Sequence, residues 1–291
     1  PEQRGVGMAF QNFALFPHMS AFENIASALR PSRANGSLAE GVSKVARLLK
    51  IEHVLDHAPR ELSNGQKQRT SLARALAASP KILLLDDPLR NVDAKLRFEM
   101  RLELPRLLRG SGSAVLYVTQ DYKEAMALAD RIAVLRDGAF EQVASPEEIY
   151  NAPNSLAVAR LFGDPAINIA EGRIEGADLV LADAMIPIGP TYRAHDGSPA
   201  IAGIRPEAVT IINGNDEWGV ITAIVEAVTP LNERTVLLLK APSGWEFLAS
   251  LPSSGEAIPE AGGRVRVGIL PAGLHLFDPG SGKRLPSGHQ G

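Results

Sequence analysis

Residues 61–68 read ELSNGQKQ and residues 82–88 read ILLLDDP. The first string sets Ser63, Asn64 and Gly65 where a helix starts, because short hydroxyl and amide side chains satisfy the orphan N–H groups of a first turn. A helix is expected over 66–78, stopped by Pro80. The second string is a short apolar run ending in two carboxylates, which reads as a buried strand with a polar C-terminal end. Strand and helix then alternate: a helix over 94–109 with a kink expected at Pro105, a strand AVLYVT (114–119), a helix over 122–129, and a strand RIAVLRDG (131–138). Such alternation argues for a largely parallel sheet with helices on its faces.

Upstream, VGMAFQ (6–11) reads as a strand and FENIASALR (22–30) as a short helix, followed by an Asn35-Gly36 turn. Over 38–50, Leu38, Val42, Val45, Leu48 and Leu49 form one helical stripe. Ser145-Pro146-Glu147-Glu148 combines a cap, an N1 proline and a capping-box glutamate. From about residue 166 helical periodicity fades. Alternating runs GVITAIVEAV (219–228), RTVLLLKA (234–241), EFLASL (246–251) and RVRVGIL (264–270) predict an all-β domain, with a small OB-type barrel as one solution. The last eight residues read as a frayed end.

The 291 residues are enough for two cores. Apolar content of 45% with 22% charge is that of a globular chain, and a net charge of −3 argues against a nucleic-acid partner. The absence of cysteine excludes disulfides and thiolate metal sites. No apolar run approaches the ~20 residues that span a bilayer. The six histidines lack ligand spacing, no Ser-His-Asp arrangement can be proposed, and Trp218 and Trp245 read as packing residues.

LSNGQ (62–66) has a physical reason to bind phosphate. Helix N-terminal amides carry partial positive charge, Ser63 adds a hydroxyl donor, and Gly65 permits close backbone approach. An ordinary N-cap is the bland alternative for the pentapeptide alone. With LSNGQKQRTSLARALAASPKILLLDDPLRNVDAKLR (62–97) in unbroken succession, the chain resembles the nucleotide-binding subunit of ATP-binding cassette (ABC) importers, in the sugar-importer branch related to the maltose transporter ATPase. FQNFALFPHMSAFENI (10–25) is similar to that family's Q-loop segment, LFGDPAIN (161–168) to its hinge, GIRPEAV (203–209) to a landmark of its C-terminal regulatory TOBE domain, and HLFDPGSGKRL (275–285) to the closing strand.

The resemblance implies an incomplete α/β P-loop NTPase-type ABC domain over 1–163 and an all-β OB-like TOBE domain over 164–291. It implies ATP and Mg²⁺ as ligands. Ser63, Asn64, Gly65 and Gln66 would be the signature facing a partner's ATP. Gln11 would be the Q-loop glutamine, Asp86 the Walker B carboxylate that holds Mg²⁺ through water, and Asp93 the D-loop aspartate. A second ABC ATPase subunit and transmembrane permease subunits are the implied partners, the latter docking on residues 13–22 from Phe13 to Phe22. The implied location is peripheral, on the cytoplasmic face of the inner membrane.

Several positions depart from the family pattern. Asp87 stands where the family has the water-activating glutamate, a carboxylate withdrawn by about 1.5 Å, and a displacement near 1 Å can cost ~10²-fold in rate. Gln120 replaces the switch histidine and carries no charge. Arg90 occupies the D-loop serine position, and Asn64 replaces a signature glycine. No G-x-x-x-x-G-K-[ST] occurs, and Gly282-Lys283 is followed by arginine, so the reading is an N-terminally truncated chain without the Walker A region. The expected function is ATP binding and hydrolysis that energises uptake of a carbohydrate or glycerol-type solute. The chain's own catalytic site is weakened, and its signature loop serves a partner. The alternatives are a non-catalytic scaffolding subunit or a decayed fragment.

Overall fold

The computed structural model describes residues 5–29, 38–212, 219–253 and 258–286. The Asn35-Gly36 turn, Trp218 and residues 287–291 lie outside them. Two compact units are present, Pro1–Asp130 and Arg131–Gly291.

The first unit runs β1 (Val6–Ala9), α1 (Ala21–Ala26), α2 (Leu38–Leu48), two short 3-10 turns, α3 (Asn64–Ala77), β2 (Ile82–Asp86), α4 (Ala94–Gly110), β3 (Ala114–Val118) and α5 (Tyr122–Leu128). The three strands form one parallel sheet in the order β1-β2-β3, with Met8 beside Leu84 and Leu84 beside Leu116. Side chains alternate across a sheet, so its two faces can be read separately. On one face, Ala9, Leu83 and Leu85 are buried in a core with Leu72 and Leu76 of α3, Ile25 of α1, and Met100 and Leu104 of α4. Gly7 lets β1 lie close to α3, since a Cβ there would stand 2.7 Å from the Ala75 carbonyl oxygen. On the other face, Val6, Met8 and Ile82 are exposed, with Leu116 at 60% and Val118 at 53%.

The α2 stripe is narrower than its sequence suggests. Val42, Ala46 and Leu49 are buried and Val45 packs beside them, but Leu38 and Leu48 are exposed. The helix ends at Leu48, and its buried face packs against both α1 and α3. α4 is helical on both sides of Pro105.

The second unit opens with β4 (Ile132–Arg136) and β5 (Ala139–Ala144), an antiparallel pair in a two-stranded sheet of its own. The βαβα alternation therefore ends at β3. Asp137 (φ +50°) and Gly138 (φ +79°) turn the chain back on itself, the double positive φ that a type I′ two-residue hairpin requires. After α6 (Pro146–Asn151) and α7 (Leu156–Leu161), the all-β region is present as expected. It comprises β6 (Asn168–Glu175), β7 (Asp178–Leu181), β8 (Met185–Pro187), β9 (Pro199–Ile204), β10 (Val209–Ile211), β11 (Ile221–Pro230), β12 (Arg234–Lys240), β13 (Glu246–Pro252), β14 (Arg264–Ile269) and β15 (Leu274–Phe277).

These strands form two five-stranded antiparallel sheets, β10-β14-β11-β12-β13 and β15-β9-β6-β7-β8. Their inner faces share one barrel-like core: Ile174, Leu179 and Ile186 meet Val225, Leu237 and Phe247. Arg205 of the GIRPEAV segment is 2% exposed. It donates to the backbone carbonyls of Tyr150 (2.9 Å), Ala159 (3.1 Å) and Phe162, and its guanidinium lies 4.0 Å from the Tyr150 ring centroid. Gly163 (φ +142°) makes room for it, since a Cβ there would stand 3.0 Å from Arg205 Nη1. Thus Arg205 helps fasten the segment leading into the hinge-like stretch to the β region, alongside the backbone bonds from Leu156 N–H to the Gly282 carbonyl (2.9 Å) and from Arg284 N–H to the Asn154 carbonyl (2.9 Å).

Candidate functional site

Parallel strands deliver their C-terminal ends to one edge, where α/β proteins bind ligands. Here that edge carries Gln11 just beyond β1, Asp86 and Asp87 at the end of β2, and Thr119 and Gln120 beyond β3. Asp86 pairs with Val118 in register. The Asp87 N–H donates to the Val118 carbonyl at 2.9 Å, which extends the ladder by one residue. To do so Asp87 adopts φ +45°, a left-handed conformation that aspartate tolerates better than most residues.

Asp87 and Gln120 line the same pocket, of about 400 Å³, together with Arg90, Arg97, Asp121 and Glu124. Arg90 Nη1 lies 3.7 Å from Asp87 Oδ2. Burial raises the Asp87 pKa, Asp86 adds to the rise, and Arg90 and Arg97 oppose it. Arg97 donates to the carbonyls of Arg90 (3.2 Å) and Val92 (3.0 Å) and lies 3.9 Å from Asp121 Oδ2. Asp121 caps α5 by accepting from the Lys123 N–H at 2.8 Å.

Sequence reasoning missed Glu124. It is 1% exposed and accepts hydrogen bonds from Tyr117 (2.8 Å) and Thr119 (3.0 Å). Burial pushes its carboxyl up, against the two hydrogen bonds that favour the charge, and burial pushes the Tyr117 hydroxyl up as well. The available signal was its place on α5, one turn after Asp121.

The other candidates lie elsewhere. Ser63 caps α3: its hydroxyl accepts from the Gln66 N–H at 3.3 Å, and the Gln66 side chain accepts from the Ser63 N–H at 2.8 Å. Ser63 and Asn64 are exposed, and a Cβ at Gly65 would meet nothing within 4 Å. Asp93 precedes α4, and its carbonyl accepts from the Arg97 N–H at 2.8 Å. None of Ser63, Asn64, Gly65, Gln66, Gln11, Asp86 and Asp93 lines the Asp87–Gln120 pocket.

Within residues 13–22, Phe16 is exposed, whereas Phe13, Leu15 and Met19 are half-buried and Phe22 packs on the core. The loop is held by Asn24, a residue the sequence gave no reason to single out. In the second unit, Trp245 stacks on Phe247 at 4.4 Å, and its indole N–H donates to the Ile169 carbonyl.

An ABC transporter family model matches residues 1–90, and a TOBE domain model matches residues 202–277. The chain therefore belongs to the ABC-importer ATP-binding proteins of the maltose-transporter type that carry a TOBE domain. It is 38% identical to the sulfoquinovosyl glycerol transport ATP-binding protein SmoE of Agrobacterium fabrum, over 96% of this chain and 78% of that protein. It is 39% identical to the sn-glycerol-3-phosphate import ATP-binding protein UgpC of Yersinia pseudotuberculosis, over 98% and 79%. The UgpC of Escherichia coli K12 is 38% identical, over 98% and 80%. Among solved structures, the dimeric ATP-binding cassette MJ0796 bound to ADP and Pi is 32% identical over 48% of this chain. The chain spans 62% of that structure's length, with a TM-score of 0.44.

Proposed function

We propose that this chain is an ATP-binding subunit that energises import of a carbohydrate or glycerol-type solute. Its own hydrolytic site is weakened, and its signature loop completes a working site on a different ATPase subunit. The import of sulfoquinovosyl glycerol and glycerol 3-phosphate by relatives supports the solute class. The observation that carries the weakened site is the pocket in which a shortened carboxylate, Asp87, meets the uncharged Gln120 and leans toward Arg90. A general base must stay within hydrogen-bond reach of its water, and an arginine at 3.7 Å competes for the same carboxylate.

In this reading Ser63, Asn64, Gly65 and Gln66 contact the partner's ATP. The open space over Gly65 and the exposed caps of a 14-residue helix fit that role. Asp86 and Gln11 are oxygen donors at the same strand edge and suit Mg²⁺, a hard cation that keeps part of its water shell. That ion would neutralise charge developing on the phosphates. Asp93 orients the loop between the two sites. Residues 13–22 dock the membrane subunits through Phe16, which places the chain peripherally at the cytoplasmic face of the inner membrane. Among the described residues no helix is long and apolar enough to cross a membrane. The functional boundary falls at residues 163/164, where the segment fastened by Arg205 ends.

ATP-driven uptake in proteoliposomes tests the asymmetry. Ser63→Arg fills the space meant for a phosphate and should abolish transport, whereas Asp87→Asn should cost less than about two-fold, since that carboxylate serves the weak site. Asp87→Glu with Gln120→His should raise hydrolysis at this chain's own site by at least ten-fold, as reach and charge return. Equal, large losses from Ser63→Arg and Asp87→Asn would show two working sites. No loss from Ser63→Arg would leave a scaffolding subunit.

A further inference from the structure

A second cavity, of about 260 Å³, lies in the second unit between its two five-stranded sheets. The mouth of a β-barrel is a common place for a small-ligand site. The floor is apolar and takes one residue from each sheet, Leu181 of β7 and Ile221 of β11, both buried. Trp245, Asp183 and Ser243 line the wall, and the exposed Glu171 of β6 stands at the rim.

The wall is held rigidly. One face of the Trp245 indole lies on Phe247, with ring centroids 4.4 Å apart and an 18° interplanar angle, and its indole N–H donates to the Ile169 carbonyl at 2.9 Å. One face and the only donor of the ring are thus committed, and the opposite face is what it offers to the cavity. Asp183, in the turn between β7 and β8, accepts the Ser243 N–H at 2.9 Å on Oδ1 and the Ser243 hydroxyl on Oδ2. That hydroxyl in turn accepts the Trp245 backbone N–H at 3.3 Å. Turns from the two sheets are therefore bonded into one unit that fixes a carboxylate beside an indole.

The chemistry of the lining narrows the ligand. Among the described residues no lysine, arginine or histidine lines the cavity, so an anion would find no cationic partner and would meet two carboxylates. An ionised carboxylate has about four acceptor sites; Asp183 uses two on Ser243 and keeps the others for hydroxyl donors. Its charge is already met by two donors, and Glu171 is exposed to water and salt, which weakens the pull on a cation. A flat apolar face beside acceptors suits a molecule with C–H groups on one side and hydroxyls at its edge. We propose that this cavity binds one neutral polyhydroxylated molecule, a monosaccharide ring or a short polyol, with its C–H face on Trp245 and its hydroxyls donating to Asp183 and Glu171. The volume lies below the ~300 Å³ at which sites for drug-sized ligands begin, so one ring enters and an oligosaccharide does not. The site lies wholly in the second unit, and binding there does not depend on the nucleotide site.

Saturation-transfer NMR on the purified full chain tests this, with D-glucose as the probe and choline as the rival cation. Expected is a saturable glucose signal, strongest at the ring C–H protons. Trp245→Ala should weaken glucose binding on the order of ten-fold, the worth of one aromatic contact, and Trp245→Phe should restore most of it. Ala182→Leu narrows the cavity from its exposed rim and removes no hydrogen bond; it should weaken binding at least as much, with an unchanged melting temperature. No saturable glucose signal, equal binding in the parent and Ala182→Leu, or tighter binding of choline than of glucose would each overturn the proposal. If Trp245→Ala does not fold, Ala182→Leu decides alone.

Discussion

The two units solve the burial of a sheet differently. In the second unit, two five-stranded sheets face each other, and Leu237, Leu239 and Phe247 are nearly without exposed surface. In the first, one face of the parallel sheet is packed, while Val6, Met8, Ile82, Leu116 and Val118 on the other meet solvent. Parallel sheets are ordinarily covered on both faces. Among the described residues, the all-β unit thus buries its apolar side chains between two sheets, whereas the parallel sheet leaves one apolar face in water.

Separating the units tests the contrast most severely. Residues 131–291 expressed alone should melt in one cooperative transition and bind no ANS; residues 5–130 alone should bind ANS and melt without a sharp transition. A cooperative, ANS-silent fragment 5–130 would break the comparison. Single residues sharpen it. Phe247→Ala should cost about 3–5 kcal/mol by denaturant titration, whereas Leu116→Ala should stay within about 0.5 kcal/mol.

A smaller difference lies in acid sensitivity. His275 is buried in the second unit. Burial first, and then Arg284 and Arg205, push its pKa down from 6.5 to about 4. The unfolded chain binds the proton that the folded unit refuses, so stability is full above pH 6.5 and falls as the pH drops toward 4. Between pH 7 and pH 5 the loss should be on the order of 2 kcal/mol, and His275→Gln should flatten that part of the stability curve. An unchanged slope in the variant would remove His275 as its cause. Least of all should the helix caps differ. Ser63→Ala and Ser145→Ala each remove the hydroxyl that accepts the N–H three residues on and should each cost about 1 kcal/mol by thermal melting.

The elements legible in the sequence were those with local signals. Ser63 marked a helix start as a short hydroxyl side chain that can cap a first turn, and Ser145 because a capping box is written within four residues. The strands ILLLD and AVLYV were readable as apolar runs between breakers. β4 was legible as a strand but assigned the wrong neighbour. The Asp137-Gly138 turn was passed over because the preceding βα alternation suggested one more parallel strand. Leu38 and Leu48 fit the helical period yet face water, since a period locates a stripe but not the width of what covers it. The site was legible as a set of residue types. Its arrangement was not, because Arg90 against Asp87, Glu124 beneath Tyr117 and Asn24 beneath Phe16 are contacts made by folding.

Arg205 illustrates a different kind of determinant. Its acceptors at residues 150, 159 and 162 are all backbone carbonyls, which every amino acid supplies. Added salt offers no competing counter-ion for a charge held by buried peptide dipoles. This part of the fastening is specified by one side chain and the route of the main chain, so it should tolerate drift at exposed positions such as Arg160 and Leu161 while failing on replacement of Arg205.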